Sequence, residues 1–240
     1  LTLGGIKIGS ALLETRNSPP YTGLYSRVNS VKWVSLFYSI EDGVETLLLK
    51  RPQRDPKKPA IFHSHSYKVK MIEGPYRVNK EFLFDHAKKM IVYTDLLNNE
   101  KSNHILKEQT IDPLSGLYHI RQSTLRPGKS VFLNIFNNKL IYRVEVQVLR
   151  KEAITTGLGS FNTILVRSNM DLVGDGVFYT PGDIYIWLTD DDMKVPVVIE
   201  KRINALVEGK LPDFIKEKMP AYLKEKISSG SVRAVLVKRY

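Results

Sequence analysis

The 240-residue chain contains no cysteine. This absence excludes a disulfide scaffold, a thiolate zinc site and a cysteine nucleophile. No stretch approaches the roughly 20 consecutive apolar residues that a membrane-spanning helix requires, so we expect no transmembrane segment. The sequence also lacks the nucleophile elbow of hydrolases, the Walker loop, the His-Glu-x-x-His pair and the glycine-rich dinucleotide turn. It therefore predicts no catalytic residue and no cofactor.

Acidic residues are outnumbered by basic ones, with 25 Asp and Glu against 36 Lys and Arg, which gives a net charge of +11. Such a balance attracts anionic partners, and an anionic membrane surface is one candidate. The densest basic stretch, residues 50–59, contains three prolines and is interpreted as a loop. Nucleic acid is not an expected partner, because no recognition motif accompanies the charge.

The dominant sequence pattern alternates apolar and polar residues with a period of two, which predicts half-buried β-strands. It is clearest in Lys139–Leu149, Tyr76–Phe84, Val195–Ile203 and Ser231–Val237. Weaker strand patterns occupy Leu1–Glu14, Tyr25–Tyr38, Val44–Arg51, Ala60–Ile72, Lys89–Thr94, Val131–Phe136, Phe161–Arg167 and Asp183–Leu188. Short turn sequences separate the strands, so we expect a mainly β, antiparallel meander in a single domain spanning residues 1–240.

Two segments are typical of helices. Asp112 and Pro113 suit the N-cap and the first helical position, and they predict a helix over about 112–122. An amphipathic stripe predicts a second helix over about 212–227, which Pro220 kinks or divides. This second segment could be a lid, a plug under the sheet or a membrane-surface contact. Packing on the protein's own sheet is its simplest interpretation.

Clusters of titratable residues receive structural interpretations. His63 and His65 are spaced for one face of a strand beside Tyr67, and they could supply two metal nitrogens. The sequence places no acidic third ligand, so hydrogen-bonded imidazoles are expected and no metal site is predicted. The run Asp190–Asp192 predicts a hairpin turn, because the alternating calcium-loop pattern is absent. Glu41-Asp42-Gly43 likewise predicts a turn.

An ordered set of segments resembles a known family. The segments are Gly5–Gly9, Glu73–Arg77, Ile111–Arg121, Gly157–Thr163, Gly182–Asp191 and Val195–Val197. The set resembles a family of exported bacterial proteins called domain of unknown function 3108, over nearly the whole chain. Within the most specific segments the matching residues are Asp112, Pro113, Tyr118, Arg121, Trp187, Thr189 and Asp190. The helical segment 212–227 departs from the short hairpin that is usual before the family's last strand.

The resemblance implies a Gram-negative envelope protein, in the periplasm or associated with the outer membrane after signal-peptide removal. The chain begins at Leu1 without an initiator methionine, so we expect a trimmed or mature fragment, compatible with export. The family's activity is not established, so no catalytic residue is carried over. Its fold is similar to that of the periplasmic lipoprotein carriers and receptors. That similarity implies a long antiparallel sheet curved into a half-open or closed β-barrel around short helices.

These expectations lead to a hypothesis of non-enzymatic binding or carriage of a lipid-like ligand or an acylated protein. Large aromatic residues would line its site, although each of them is also interpretable as plain core. They are Trp33, Phe37, Phe82, Phe84, Tyr185 and Trp187. An envelope scaffold that holds a protein partner is the alternative. A hydrolase acting on envelope polymers is a third hypothesis and would need a carboxylate pair or His63 and His65 to converge in a cleft.

Overall fold

The computed structural model describes residues 1–3, 5–36, 38–51, 61–168, 182–202 and 231–239. Strands dominate these residues, so the predicted mainly β class with long antiparallel sheets is confirmed. The helix predicted over 212–227 and the aromatic residue Phe37 lie outside the described residues.

The chain opens with two short strands, β1 (Thr2–Leu3) and β2 (Ile6–Lys7). A seven-stranded antiparallel meander follows, which we call the N-terminal sheet, with its strands in sequence order. Its strands are β3 (Gly9–Ser18), β4 (Tyr21–Ser30), β5 (Ile40–Arg51), β6 (Ile61–Glu73), β7 (Tyr76–Asp85), β8 (Met90–Asp95) and β9 (Glu100–Ile105). A four-residue helix α1 (Lys32–Ser35) joins β4 to β5.

The rest of the chain builds a nine-stranded C-terminal sheet, ordered β10-β11-β12-β13-β14-β15-β16-β1-β2. Its strands are β10 (Thr110–Ile111), β11 (Ser130–Asn137), β12 (Leu140–Thr156), β13 (Gly159–Ser168), β14 (Ile184–Thr189), β15 (Pro196–Arg202) and β16 (Ser231–Val235). All pairs are antiparallel except β10 with β11. The described strands form two sheets and no closed barrel, an arrangement compatible with a half-open barrel.

A ten-residue helix α2 (Pro113–Gln122) lies between the two sheets and confirms the helix predicted over 112–122. Leu114 packs on the core of the N-terminal sheet, whereas Ile120 belongs to the core of the C-terminal sheet. Gly116 allows α2 to approach β11 closely, because a Cβ there would lie 3.2 Å from Ile135 Cδ1. Among the described residues, no helix is long and apolar enough to cross a bilayer.

Three core clusters lie within the part of the chain that the structure describes. One is rich in aromatic residues and combines side chains of the N-terminal sheet with Leu106, just after β9, and Phe136 of β11; its other members are Tyr67, Val69, Met71, Val78, Phe82, Phe84, Ile91 and Tyr93. A second joins α2 to one face of the C-terminal sheet, and a third lies on the opposite face around Leu165 and Trp187. The central strands β13 and β14 are therefore buried on both faces, unlike a strand with one wet face.

Three local predictions were wrong. The strand predicted over Leu1–Glu14 is divided among β1, β2 and β3, because Leu3 and Ile6 pair with each other across a turn at Gly5. The strand predicted over Tyr25–Tyr38 stops at Ser30. Helix α1 makes the chain reversal there, with Ile40 N donating to Ser30 Oγ at 3.0 Å. Because α1 already makes the reversal, the turn predicted at Glu41-Asp42-Gly43 is instead continuous strand, paired with both β4 and β6.

Candidate functional site

The N-terminal end of α2 is fixed by the carboxylate of Asp112, which is 0% exposed. Asp112 is the N-cap residue, and its Oδ1 accepts a hydrogen bond from Ser115 N at 2.9 Å. The Ser115 hydroxyl donates a short hydrogen bond to Asp112 Oδ2. Aspartate is favoured at this position because its side chain satisfies an N–H group that the helix leaves without an intrahelical partner. Pro113, at the first helical position, needs no such partner.

The same carboxylate ties the helix to the N-terminal sheet. Thr46 Oγ1 on β5 donates to Oδ1 at 2.9 Å, and Ser64 Oγ on β6 donates to Oδ2 at 2.6 Å. Asp112 N in turn donates to Ser64 Oγ at 3.1 Å. Thr46, Ser64 and Ser115 are all 0% exposed. Asp112 therefore accepts hydrogen bonds from four neutral donors on three elements in a fully buried network. We call Asp112, Thr46, Ser64 and Ser115 the Asp112 anchor.

A β-bulge in β6 turns Ser64 towards Asp112. Leu47 pairs with Ser66 and Leu48 pairs with Ser64, so one residue, His65, is extra. The bulge breaks the alternation on which the prediction for His63 and His65 depended. The face that carries Tyr67 continues at Ser64, and the placement of the two histidines on that face was wrong. The His63 ring packs edge-on against the His86 ring, with centroids 5.0 Å apart, and the His65 ring is tilted against the Tyr21 ring, with centroids 5.1 Å apart. No group of three metal-ligating side chains is found among the residues that the structure describes.

The C-terminal end of α2 is fixed by the Arg121 guanidinium. Its Nε donates to Lys194 O at 3.0 Å and to Met193 O at 3.2 Å, and its Nη2 donates to Met193 O at 3.0 Å. Both carbonyls belong to the hairpin between β14 and β15. Partial burial, opposed by few nearby acids, lowers the pKa of Arg121 from its ordinary value. We call this contact the Arg121 anchor.

The hairpin that receives Arg121 is the turn predicted from Asp190–Asp192. Asp191 Oδ1 accepts from Met193 N and Lys194 N, each at 2.9 Å, and from Thr189 Oγ1 at 2.8 Å. The hydrogen bond from Thr189 lowers the pKa of Asp191. Asp190 forms an ion pair with Lys151 at 2.7 Å. The carboxylate of Asp191 therefore shapes the turn, while that of Asp190 ties it to β12.

The two sheets also meet where the β8–β9 turn lies beside the β11–β12 hairpin. Lys139 Nζ in that hairpin lies 3.6 Å from Oε2 of Glu100, the first residue of β9. Exposed leucines lie near both members of this ion pair along the chain. Leu96 and Leu97 precede Glu100 and are 46% and 52% exposed, while Leu140 follows Lys139 and is 59% exposed. We call Leu96, Leu97, Lys139 and Leu140 the seam.

Aromatic rings lie directly behind the seam. Lys139 Nζ is 4.8 Å from the centroid of the Tyr93 ring, which contacts the Phe82 ring at 5.3 Å. The His104 and Phe136 rings are also 5.3 Å apart. Burial, and after it the charge of Lys139, lowers the pKa of His104, which favours the neutral imidazole. The seam therefore connects exposed leucines and a cation to an apolar, aromatic interior.

The family model described as "Protein of unknown function (DUF3108)" matches residues 1–205. The chain belongs to the DUF3108 family. No curated protein and no solved structure matches the chain. The resemblance inferred from the sequence is thus confirmed at the level of the family, and the similarity to periplasmic lipoprotein carriers stays a prediction.

Several residues that carry the DUF3108 resemblance make contacts that hold the fold together. Asp112 and Arg121 fix the two ends of α2, and Tyr118 packs edge-on against Phe62 at 5.3 Å. Trp187 Nε1 donates to Glu152 Oε1 at 2.8 Å. Burial of Glu152 opposes ionisation, but the hydrogen bonds from Trp187 and from Arg150 lower the pKa of Glu152 overall. The matching residues therefore hold the helix and the C-terminal sheet of this DUF3108 protein in place.

The aromatic residues predicted to line a ligand site are not all brought together. Phe82 and Phe84 lie in the core cluster of the N-terminal sheet. Trp187 and Tyr185 lie in the third cluster, on the C-terminal sheet. Trp33 is half-buried on α1. Two of these residues contact rings directly behind the seam: the Phe82 ring centroid lies 5.3 Å from that of Tyr93, and the Phe84 ring centroid lies 6.4 Å from that of Phe136.

Sequence reasoning did not identify the partners of Asp112. The spacing from Asp112 to Ser115 is a helix-capping pattern that could have indicated Ser115. Thr46 and Ser64 are 66 and 48 residues away along the chain, and no local signal marks them.

The polar groups of the Asp112 anchor hold structure together and are not arranged for nucleophilic attack. A serine nucleophile needs a base in hydrogen-bond contact, usually an imidazole. Here Ser64 Oγ donates to Asp112, and the nearby imidazoles bond to backbone carbonyls. His86 Nε2 is 2.8 Å from Ser64 O, and His119 Nε2 is 3.2 Å from Phe62 O.

Proposed function

We propose that this protein is a non-enzymatic binding protein of the bacterial envelope that holds a lipid-like ligand or an acylated protein. The proposal places ligand entry at the seam. The observation that carries it is the coincidence of three exposed leucines with Lys139 at the place where the two sheets meet.

The chemistry of the seam suits an anionic amphiphile. Solvent-exposed leucines provide apolar area, and each methylene of an acyl chain that leaves water contributes about 0.8 kcal/mol. Lys139 provides a cation for a phosphate or carboxylate head group, and the net charge of +11 attracts anionic surfaces at longer range. The aromatic interior around Tyr93 and Phe136 would receive the chain, with the β11–β12 hairpin moving to admit it.

The experiment that tests this proposal is displacement of a fluorescent fatty acid, combined with native mass spectrometry of protein purified without added lipid. We expect the wild type to bind the probe and to retain co-purified lipid. The double substitution Leu96→Ser and Leu97→Ser should weaken probe binding about tenfold, because two apolar contacts are lost.

A matched control comes from Leu158, which is 46% exposed, as is Leu96, but lies in the β12–β13 turn. Leu158→Ser should leave probe binding unchanged. Failure of the wild type to take up the probe or any lipid would overturn the proposal. Equal losses in the seam and control variants would do the same, since the binding would then be non-specific.

A second candidate, an envelope scaffold that holds a protein partner, is favoured by a different surface, the exposed edge strand β3. Recovery of one stoichiometric protein partner without lipid in a pull-down would support the scaffold over the carrier.

A further inference from the structure

The strand β3 forms an unusually open edge of the N-terminal sheet. It is ten residues long, pairs with β4 in unbroken register, and is exposed along eight of its ten residues. Leu12 and Leu13, which face opposite sides, are 44% and 45% exposed. The other long edge strand, β9, is accompanied by the β11–β12 hairpin through Glu100 and Lys139. No described strand pairs with the outer edge of β3.

Natural proteins protect such edges with prolines, bulges, inward-pointing lysines or short strands. Residues 9–18 contain no proline and no lysine, and the pairing with β4 shows no bulge. In an antiparallel edge strand every second residue points its N–H and C=O groups away from the sheet. The outer edge of β3 therefore offers a row of hydrogen-bonding groups to another strand.

The charges on β3 select a partner and a register. Glu14 and Arg16 lie on the same face, and they form a bidentate ion pair with Arg16 Nε 2.7 Å from Glu14 Oε1. Two copies of β3 related by a twofold axis at Thr15 would place each Glu14 opposite the Arg16 of the other copy. Directly opposite cross-strand positions have Cβ atoms about 5 Å apart, which is close enough for two reciprocal ion pairs.

Neighbouring registers are less favourable. An axis at Glu14 would place the two Glu14 carboxylates opposite each other, and like charges in that position are destabilising. An axis at Leu13 would pair residues 10–16 and place Glu14 opposite Leu12 and Arg16 opposite Ser10, so neither charge would meet an opposite charge. The register centred on Thr15 uses residues 12–18 and has neither disadvantage.

We propose that β3 is a self-association edge, through which two copies of this protein pair antiparallel around Thr15 and join their N-terminal sheets into one continuous sheet. The pairing is independent of ligand binding at the seam, which lies towards the opposite edge of the same sheet, at β8 and β9.

Cross-linking tests the register directly, because the wild type contains no cysteine. In the paired sheet the two Thr15 Cα atoms would lie about 4.5–5.5 Å apart, within the range that a disulfide spans. The variant Thr15→Cys should therefore form a disulfide dimer with oxidised glutathione. The matched variant Asn17→Cys should stay monomeric in the same assay, because its two thiols would lie on opposite sides of the axis.

Charge reversal tests the recognition. We expect sedimentation velocity over a concentration series to show a wild-type dimer, and Glu14→Arg to self-associate about tenfold more weakly. The double variant Glu14→Arg with Arg16→Glu restores both reciprocal pairs and should regain the wild-type affinity. Far-ultraviolet circular dichroism identifies variants that fail to fold, and those are replaced by Leu13→Lys, which should also weaken the dimer.

A wild type that is monomeric at every concentration would overturn the proposal. Binding of an extended peptide from another protein by such a monomer would not rescue it. A disulfide dimer formed by the Asn17→Cys variant and not by the Thr15→Cys variant would overturn the register and with it the charge argument.

Discussion

The two ends of α2 are held by opposite means. At the first end, Asp112 is fully buried and accepts from four neutral donors on β5, β6 and the helix itself. At the second end, Arg121 is partly exposed and donates to two carbonyls of a single hairpin. A buried polar network is costly to break, since every group left behind has lost its access to water. We therefore expect disruption of the Asp112 anchor to lower the stability of the fold strongly, and disruption of the Arg121 anchor to lower it only slightly.

The strongest test of this comparison is Asp112→Ala. The substitution removes the helix cap and takes away the Asp112 acceptor of the buried Thr46 and Ser115 hydroxyl groups, whereas the Ser64 hydroxyl keeps Ser115 Oγ at 3.2 Å. Loss of the cap costs about 1 kcal/mol, and each of the two orphaned hydroxyl groups adds about 1–3 kcal/mol. We expect the free energy of unfolding, measured with urea, to fall by about 4 kcal/mol or the protein to be unfolded.

Asp112→Asn is the matched control for that substitution. The amide keeps the oxygen that caps the helix and replaces the second acceptor with a donor, so an intermediate loss of about 2 kcal/mol is expected. A loss below about 1 kcal/mol for Asp112→Ala would show that the anchor is not important for the fold.

The next largest effects compare the hydroxyl groups that β6 and β5 contribute to the Asp112 anchor. Ser64→Ala removes a hydroxyl that both donates to Asp112 Oδ2 and accepts from Asp112 N, whereas Thr46→Val removes a single donated bond. We expect losses of about 2 kcal/mol and about 1 kcal/mol respectively in urea unfolding. In a double-mutant cycle the two should be non-additive, because they share one carboxylate. Strict additivity would contradict a connected network.

The helix itself was predictable from sequence, whereas its attachment was not. Asp112, Pro113 and the spacing to Arg121 are local signals, and helix caps are encoded within a few residues. The contacts with Thr46 and Ser64 depend on how distant strands pair, and the bulge at His65 changes which residue faces inward. A one-residue change in register reverses every side chain, so alternation alone assigned the histidines to the wrong face.

The C-terminal sheet shows a similar limit. Alternation predicts one buried and one wet face, and β12 follows it through Val144, Val146 and Val148. In β13 the residues Thr163–Val166 are buried consecutively, because both faces of the sheet are covered there. An apolar run without alternation is compatible with several kinds of buried segment, so sequence alone could not place the third core cluster.

The second end of α2 should give a smaller effect. Arg121→Ala removes three hydrogen bonds to Met193 and Lys194, but the group is partly exposed and water can replace them. We expect a loss of about 1 kcal/mol in urea unfolding and faster amide exchange at Val195. Arg121→Lys keeps the charge without the forked geometry, and its stability should lie between those of the wild type and of Arg121→Ala. A loss as large as that of Asp112→Ala would remove the contrast between the two ends.

The smallest expected effect extends the comparison to a second carboxylate, that of Asp42 in the N-terminal sheet. Asp42, half-buried on β5, accepts a hydrogen bond from Ile72 N at 3.3 Å. Burial, weakly opposed by that bond, raises the pKa of Asp42 from 3.8 to about 6. The folded state therefore binds the proton more tightly than the unfolded state, and stability falls as pH rises from about 4 to about 6.

Asp42→Asn removes this penalty. A shift of this size corresponds to about 3 kcal/mol, which solvent screening at a half-exposed site reduces to about 1 kcal/mol. We expect the variant to be more stable than wild type by that amount at about pH 8, with the difference vanishing below about pH 4. Asp85→Asn is the control, because the backbone N–H of Lys88 is the main group that lowers the pKa of Asp85. Its difference from wild type should have the opposite sign at the higher pH. If Asp42→Asn were instead destabilising there, one backbone donor would suffice to hold a half-buried carboxylate, and the four donors around Asp112 would exceed what the fold requires.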